Sequence, residues 1–551
     1  MNIHEVSMST QTLDDDDIKE RFTDTRASIT KSARAELLSC SDPEAALSVL
    51  LEKYADQSII TGSDVETVTE ALDFGSTSAK TVDSQSDDAS DAEEDTTEGD
   101  PTDEEEPLIE IERVSAEEET LHDELSTTEE AFAAIQEFSD ETPPRNTDHR
   151  DIHIGKNITG DSTCTGSLDD LVAYFNSRYE RLAEILAEKV NSRPIESLGE
   201  KSSRKTDDDD VAIVGMVNEI RTTKKGNRLL ELEDPTGVMR VVYTQDRSKK
   251  ICEEIDEKVV TDIVIAVEGQ LADDGGIIFG NDLHFPDIPP ARTARTADRN
   301  VKVALISDIH MGAKEFAHDK WNSFVEWIRT ENDIEYLLVA GDLVEGIGIY
   351  AGQKDELVVP SLTDQYRLCA HAFSQLPDDM DIIVIPGNHD GVRLAEPQPE
   401  LDEELQAMFN DNVHFGGNPA MVTIEQVKFL LYHGVSLNPL IDALSDADIQ
   451  RPTSAMWPML LYRHLAPIYG TSSLRLAPEH IDMLTIDEIP DVFHTGHIHT
   501  FGVDKYKSVT MANTGAWQHQ SQYQRDLDID PDVGYCVVVD IKDMDYEVQK
   551  F

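Results

Sequence analysis

The stretch VKVALISDIH, residues 301–310, runs from a short apolar segment directly into an aspartate and a histidine. Its apolar part has the length and the branched side chains typical of a buried β-strand. Four similar runs follow it, EYLLVA, DIIVIP, VKFLLYHG and DVFHT, and helical stretches lie between them. Short apolar strands that alternate with helices predict an α/β domain, which we place at residues 300–551.

Each of these five strands ends at side chains that can bind metal ions. Alternate residues of an extended segment point the same way, so the last two histidines of HTGHIH could hold one site. Ligands of α/β sheets collect beyond the carboxyl ends of the strands, where all of these side chains lie. The candidates are Asp308, His310, Asp342, Asn388, His389, Asp390, His433, His497 and His499.

The mixture of imidazole, carboxylate and amide groups predicts two divalent metal ions. We expect manganese first, with iron, zinc or magnesium as alternatives. Two such ions about 3.5–4 Å apart can clamp a phosphate and activate water for in-line attack. Asp342 is the carboxylate that we expect to bridge them. A single GxHxH or SDIH is more often ordinary surface or core sequence, but five pieces in this order argue against coincidence.

The charge of the chain is extreme. Its 551 residues include 111 Asp and Glu against 46 Lys and Arg, a formal net charge of −65. Such self-repulsion destabilises a compact state unless salt screens it, which favours the salt-rich cytoplasm of a halophile. An acidic protein that avoids nucleic acid is the alternative. Five scattered cysteines without a CxxC pair also suit a reducing cytoplasm, and we expect neither a signal peptide nor a membrane span.

Upstream of the α/β domain the sequence predicts four segments. Residues 1–75 have helical patterns and predict an N-terminal helical module, and residues 76–165 predict an acidic disordered linker. Residues 166–205 predict an amphipathic helix with a serine cap, followed by linker. Residues 206–290 predict five short strands with a helix after the third, which fits an oligonucleotide-binding barrel. Such barrels bind nucleic acids or proteins, and both interpretations stay open; the few basic candidates are Arg221, Lys224, Lys225, Arg228 and Arg240.

Longer motifs extend the pattern. The segments SDIHMGAKEF, GDLVEGIGIYAGQ, PGNHDGVRLAEPQP, YHG, RHLAPIYG, HTGHIHTFG and NTGAWQ resemble the small subunits of archaeal D-family DNA polymerases, within the calcineurin-like metallophosphoesterases. The resemblance covers about residues 205–551. It implies a metallophosphoesterase β-sandwich flanked by helices, preceded by the barrel and the N-terminal module. It also implies a 3′→5′ exonuclease in a heterodimer with a large catalytic subunit, acting on single-stranded or primer–template DNA; the sliding clamp is a further candidate partner.

The resemblance also implies roles for single residues. One metal ion matches Asp308, His310, Asp342 and His499. The other matches Asp342, Asn388, His433 and His497. His389 matches the histidine that contacts the scissile phosphate and assists the leaving oxygen, and Asp390 would orient it. His494 lies outside the pattern and is expected to be structural, whereas VSLNPLID after YHG departs from the family and puts substrate contacts there in question.

Two other function classes remain open. One is a purely architectural polymerase subunit, against which the intact set of ligands argues. The other is a stand-alone repair nuclease or phosphodiesterase, which the barrel and the family-specific motifs disfavour. No separate carboxylate cluster of a polymerase active site is apparent, so we expect synthesis to belong to the large subunit.

Overall fold

The computed structural model describes residues 125–139, 142–147, 150–199, 210–272, 275–350, 352–471, 474–526 and 529–551. It also describes two short strands, β1 (Ser28–Ile29) and β2 (Ile59–Ile60), which pair in parallel within a separate unit, Met1–Ser115. The rest of the predicted helical module and most of the predicted acidic linker lie outside the described residues. No helix in the described part of the chain is long and apolar enough to cross a membrane.

The segments before the barrel are more ordered than the sequence suggested. They comprise α1 (Thr128–Ala134), β3 (Ile152–Gly155), α2 (Leu168–Ala187) and α3 (Glu196–Gly199). The predicted helix α2 is confirmed, and Ser167 caps it by accepting a hydrogen bond from the Asp170 N–H. The assignment of the whole of 76–165 to a disordered linker is wrong for its last part. There α1 buries Ala131 in the core, and β3 finds its hydrogen-bonding partner in a distant strand.

Five strands form a closed barrel with the order β4-β5-β6-β8-β7. All neighbours pair antiparallel except β6 and β8, which run parallel. The helix predicted after the third strand is present as α4. The elements are β4 (Asp210–Thr222), β5 (Arg228–Asp234), β6 (Gly237–Tyr243), α4 (Lys249–Lys258), β7 (Val264–Leu271) and β8 (Ile277–His284).

Two six-stranded sheets follow, and all five strands predicted from apolar runs are present. The strands are β9 (Lys302–Ile306), β10 (Ile334–Ala340), β11 (Asp381–Ile385), β12 (Val413–Phe415), β13 (Ala420–Ile424), β14 (Val427–Leu431), β15 (Val492–Thr495), β16 (Phe501–Tyr506), β17 (Val509–Thr514), β18 (Tyr535–Asp540) and β19 (Asp545–Lys550). The first sheet has the order β12-β11-β10-β9-β18-β19 and the second β16-β17-β15-β14-β13-β3. Strand β3 therefore completes the second sheet by pairing antiparallel with β13.

The two sheets pack face to face, and helices cover their outer faces. Between the sheets lie alternate residues such as Leu305 and Leu338 from the first sheet and Phe429 from the second. The outer face of the first sheet packs against α5 and α6, and that of the second against α9 and the barrel. The helices are α5 (His318–Ile328), α6 (Leu362–Phe373), α7 (Glu403–Gln406), α8 (Leu437–Ala443), α9 (Thr453–Tyr462) and α10 (Gln522–Asp526), with a 3-10 turn at Gln353–Asp355.

Candidate metal centre

The predicted ligands meet at one edge of the two sheets. The predicted ligands lie two to four positions beyond the last residue of their strands; Asp342, for example, lies two beyond Ala340 of β10. The backbone there is turned sharply, because five of the ligands have a left-handed conformation that costs an L-residue energy. Surrounding hydrogen bonds fix that conformation. These five residues, with φ between 52° and 74°, are Asp308, His310, Asp342, His497 and His499.

The first group of predicted ligands consists of Asp308, His310 and His499, all buried. The Nε2 atoms of His310 and His499 lie 3.0 Å apart. The Asp308 Oδ1 lies 3.5 Å from the His499 Nε2 and 3.9 Å from the His310 Nε2. Two facing imidazole nitrogens repel each other unless a proton or a cation lies between them, so this group has the form of a cation site.

The second group surrounds His433. The His433 Nε2 lies 3.0 Å from the Asn388 Oδ1 and 3.2 Å from the Asp342 Oδ2. The same Asp342 oxygen lies 3.8 Å from the His310 Nε2, so its carboxylate lies between the two groups. The His497 ring is 5.2 Å from the His433 ring, centroid to centroid. The Asp342 carboxylate is therefore placed where it could bridge two metal ions, one at each group.

The chemistry of these donors fits bound divalent cations. Asp308 and Asp342 are fully buried, and among the described residues their ion-pair partners are histidines, not lysine or arginine. A buried carboxylate that lacks a cation is costly. The carbonyl of Ala340 accepts a hydrogen bond from the His433 Nδ1, 2.9 Å away, so the His433 Nε2 faces the oxygens of Asp342 and Asn388, where either a proton or a metal ion can lie.

The shifts in pKa follow from this crowding of buried groups. Burial raises the pKa of Asp342, but the charge of His433 and the other histidines outweighs it and holds the pKa well below its ordinary value. Burial lowers the pKa of His433, yet the charge of Asp342 raises it to about 10. Burial and the charge of His433 lower the pKa of His497 to about 3, so this ring is neutral, the state that binds metal. At neutral pH the two histidines of this group therefore differ in charge, with His433 positive and His497 neutral.

His389 lies beside the ligands and is partly open to solvent, with 14% of its side chain exposed. Its main-chain N–H donates to the Asp342 Oδ1 at 2.8 Å. Its Nδ1 lies 2.6 Å from the carbonyl oxygen of Glu345, which can only accept, so Nδ1 carries a proton. The Nε2 is therefore the ring atom available to a substrate in the adjoining cavity.

Asp390 is predicted to orient His389, but no hydrogen bond joins the two side chains among the described contacts. The Asp390 carboxylate instead accepts hydrogen bonds from the Gly387 N–H at 2.9 Å and the Tyr366 hydroxyl at 2.9 Å. It also accepts one from the Leu343 N–H at 3.3 Å. Asp390 is a buried side chain that must satisfy its oxygens locally, so it holds the GNHD loop against the neighbouring turn rather than the ring of His389.

Several residues at the site escaped the sequence analysis. Glu345 is buried, and its Oε2 lies 2.9 Å from the His310 Nδ1. The Gln524 Nε2 lies 2.7 Å from the His499 Nδ1, and the Asn438 side-chain amide lies 3.2 Å from the His497 Nε2. Such partners fix the orientation of metal-binding imidazoles. Asn438 belongs to VSLNPLID, the segment that departs from the family pattern, and Glu345 belongs to GDLVEG; a carboxylate between Val344 and Gly346 was the available signal.

The remaining histidine of HTGHIH, His494, lies apart from the ligand groups. It is buried on β15, and its Nε2 lies 3.2 Å from the Thr514 hydroxyl. Burial lowers its pKa to about 3, so the ring is neutral.

The two family-specific motifs lie behind the ligands. In AEPQP, the Glu396 carboxylate accepts a hydrogen bond from the Tyr432 hydroxyl at 2.8 Å, and the Gln398 side-chain oxygen accepts one from the Asn418 amide at 2.8 Å. The Asn418 oxygen accepts in turn from the main-chain N–H of His433 at 3.0 Å. Through Asn418, AEPQP therefore holds the main chain of His433, a predicted ligand, in position.

In RHLAP, the His464 Nε2 lies 2.7 Å from the Asp482 carboxylate. That carboxylate also pairs with the buried Arg178 of α2 at 2.9 Å. RHLAP therefore fastens α2 to the domain that contains the ligands.

Similar proteins are consistent with this geometry. The family model described as calcineurin-like phosphoesterase matches residues 301–501, which confirms the predicted domain type. The DNA polymerase II small subunit of Halobacterium salinarum is 44% identical over 435 residues, which cover 77% of this chain and 84% of that protein. The DNA polymerase II small subunit of Archaeoglobus fulgidus is 38% identical, with 70% and 78% covered. That of Methanothermobacter thermautotrophicus is 36% identical, with 71% and 81% covered.

Proposed function

Because the chain belongs to the family of DNA polymerase II small subunits, we propose that its buried cluster is the two-metal centre of a 3′→5′ exodeoxyribonuclease. The observation that carries the proposal is the position of the Asp342 carboxylate between two groups of imidazoles, 3.2 Å from His433 and 3.8 Å from His310. Two metal ions held about 3.5–4 Å apart can stabilise both the attacking and the leaving oxygen of a phosphodiester, and a carboxylate in this position could hold them together.

For the proposed ligands we keep the division that the family resemblance implies. Asp308, His310 and His499 would hold one ion, Asn388, His433 and His497 would hold the other, and Asp342 would contribute to both. Two divalent ions there, manganese foremost, would supply Lewis-acid activation of the scissile phosphate and of the attacking water. The protein holds the imidazoles in the orientation for this through Glu345 and the Ala340 carbonyl.

His389 is the proposed general acid. Its Nδ1 is held by the Glu345 carbonyl, so its Nε2 can carry a proton towards the cavity. Hydrolysis forms a bond between the water oxygen and phosphorus and breaks the bond from phosphorus to the 3′ oxygen of the preceding nucleotide. The Nε2 proton passes to that 3′ oxygen, and a 5′-mononucleotide is released. Asp390 is a positioning residue, because it braces the loop that carries Asn388 and His389.

The proposed partners are a large catalytic subunit, which carries out synthesis, and DNA. The strand order of the barrel, with β6 parallel to β8, supports an oligonucleotide-binding fold. Of its basic candidates, Arg221, Arg228 and Arg240 are paired with Glu219, Asp256 and Glu231, and such surface pairs are weak enough that both DNA and protein contact stay open. Contact with the sliding clamp stays a prediction from the resemblance.

Two variants test the proposal because they should fail differently. Asp342→Ala removes the shared carboxylate, so metal content and degradation of single-stranded 3′ ends should collapse together. His389→Ala keeps all seven proposed ligands and should bind metal while cleaving about 10²–10⁴-fold more slowly. The assays are metal analysis of the purified protein and 3′-end degradation with added manganese.

His480→Ala, a change at an exposed histidine away from the cluster, is the matched control and should behave as the unmodified protein. Primer extension by the reconstituted two-subunit enzyme should survive all three changes, since synthesis is assigned to the partner. Degradation at the normal rate by Asp342→Ala would exclude the two-metal centre. An unmodified chain that supports synthesis but degrades no DNA would establish an architectural subunit instead.

A further inference from the structure

The cavity beside the metal centre has walls that phosphate chemistry does not require. It measures about 270 Å³, slightly below the range of about 300–1,000 Å³ typical of small-molecule sites. The residues that line this cavity include proposed ligands and also apolar side chains. These are Ile349, Tyr350, Ile449, Ile498 and Ile529. Apolar surface adds nothing to the binding of a phosphate, whereas a base and a deoxyribose bury apolar surface of their own.

The apolar side chains fall into two groups, one beside His389 and the other beside His499. The Tyr350 ring lies 6.2 Å from the ring of His389, centroid to centroid. His389 lies 4.8 Å from His310, and His310 lies 4.8 Å from His499. Successive ring contacts therefore connect Tyr350 to His499 through His389 and His310. We call the side of Ile349 and Tyr350 the tyrosine wall.

The second group of apolar side chains lies beside His499. Ile498 lies between His497 and His499 in the sequence, and 4% of it is exposed. The carbonyl of Ile449 accepts a hydrogen bond from the Thr500 hydroxyl at 2.7 Å, next to His499. The Ile529 N–H donates to the carbonyl of Gln524, whose side chain contacts His499. We call Ile449, Ile498 and Ile529 the isoleucine wall.

We propose that these walls are two nucleoside subsites for the last two nucleotides of a DNA 3′ end, an inference that rests on the exonuclease function above. His389 protonates the 3′ oxygen of the preceding nucleotide, so that nucleoside lies on the His389 side, against the tyrosine wall. The terminal nucleoside, which leaves as the mononucleotide, lies on the His499 side, against the isoleucine wall.

The tyrosine wall is suited to stacking because its ring is held in place. The Tyr350 hydroxyl lies 2.9 Å from the Glu345 Oε1, and the ring needs no reordering when a base arrives. Stacking of a base on an aromatic side chain typically contributes about 1–3 kcal/mol and tolerates every base. The subsites therefore recognise the presence of a base and not its identity, as the removal of any mismatched nucleotide requires.

Matched oligonucleotides that lack one base test the two subsites separately. The full chain, loaded with manganese, is given three single strands: a normal one, one without the terminal base and one without the preceding base. Loss of the preceding base should lower kcat/KM roughly 5- to 150-fold, which corresponds to the stacking contribution above. Loss of the terminal base should also lower kcat/KM, because it removes apolar contact with the isoleucine wall. Tyr350→Ala should abolish the effect of the preceding base and keep that of the terminal base. Ile449→Ala should weaken the effect of the terminal base only.

Because the readout is a ratio between substrates, a general loss of rate in a variant cancels. Ile347→Ala is the matched control, since Ile347 lies in the same loop as Tyr350 but is 49% exposed and outside the cavity lining; both ratios should stay unchanged. An active enzyme that cleaves all three strands equally would overturn the subsites and leave the exonuclease proposal standing. An enzyme inert on every strand would instead overturn the proposed function.

Discussion

Replacing Glu345 should weaken metal binding although Glu345 is not a proposed ligand. Its carboxylate is 1% exposed, and its Oε2 accepts hydrogen bonds from the His310 Nδ1 at 2.9 Å and the Gln518 amide at 3.1 Å. Its Oε1 accepts from the Gln353 amide at 3.0 Å and lies 2.9 Å from the Tyr350 hydroxyl. Burial lowers the pKa of His310, but the hydrogen bond and charge of Glu345 raise it to about 9. Glu345 therefore makes the His310 Nε2 a stronger donor to a metal ion.

The size of the effect depends on what replaces the carboxylate. Loss of such a supporting partner typically lowers metal affinity or activity about 10–100-fold. Glu345→Gln keeps the shape, and its amide can turn its oxygen towards His310, so we expect the lower end, about 10-fold. Glu345→Ala leaves the His310 Nδ1 proton and the Gln518 amide without this acceptor, whereas the Gln353 amide keeps the main-chain carbonyl of residue 345. We therefore expect about 100-fold, or about 2.7 kcal/mol.

The assay is a calorimetric manganese titration together with 3′-end degradation at saturating manganese. Glu356→Gln is the control, because Glu356 lies 3.0 Å from the same Tyr350 hydroxyl but is not a partner of His310 in the described contacts. Its manganese affinity should be unchanged. If Glu345→Ala bound manganese as tightly as the unmodified chain, the argument that this carboxylate supports His310 would be refuted.

Three further outcomes are expected. Asp482→Asn should lower the free energy of unfolding in urea by about 3–5 kcal/mol, because it leaves the buried Arg178 guanidinium without its counter-charge; equal midpoints would contradict this. Burial raises the pKa of Glu396 to about 7 from an unfolded value of 4.5, so stability should be lost as pH rises from 4.5 to 7, by about 3 kcal/mol, and Glu396→Gln should lack that loss. Removal of residues 1–124 should leave nuclease activity intact. In the full chain, activity and helicity should rise together as the salt concentration approaches the molar range, because salt screens the net charge of −65. Full folding and peak activity at low salt would refute this screening argument.

The strands of the two sheets could be predicted because each is a compact apolar run with its own turn residues. Strand β3 could not. Its four residues, Ile152–Gly155, stand in polar surroundings, and the strand exists because β13, more than 260 positions away, offers it hydrogen bonds. Ile152 and Ile154 then pack against the core between the sheets. Local sequence carries no record of such a partner, so the end of the predicted linker was placed too late.

The site shows the same division between local and distant information. Ligands such as Asp308 and His433 follow directly from strands, and their chemistry is visible in a few neighbouring letters. The residues that orient them are glutamate, glutamine and asparagine, which are usually found on surfaces. Gln518 meets Glu345 across 173 positions of the chain, and only that meeting makes either residue part of the site.

The motifs that distinguish this family contribute no ligand, and their contacts explain why they accompany the ligands. Asn418 joins AEPQP to the main chain of His433, and Gln398 donates to the carbonyl of Gly387, next to Asn388, at 3.3 Å. A buried polar network with every member satisfied holds one geometry and resists alternatives. In a reaction that depends on placement, an error of about 1 Å can lower the rate about 10²-fold. The glutamate and glutamine of AEPQP therefore act on cleavage through the positions of His433 and Asn388, and their replacement should change the rate of hydrolysis without removing a ligand.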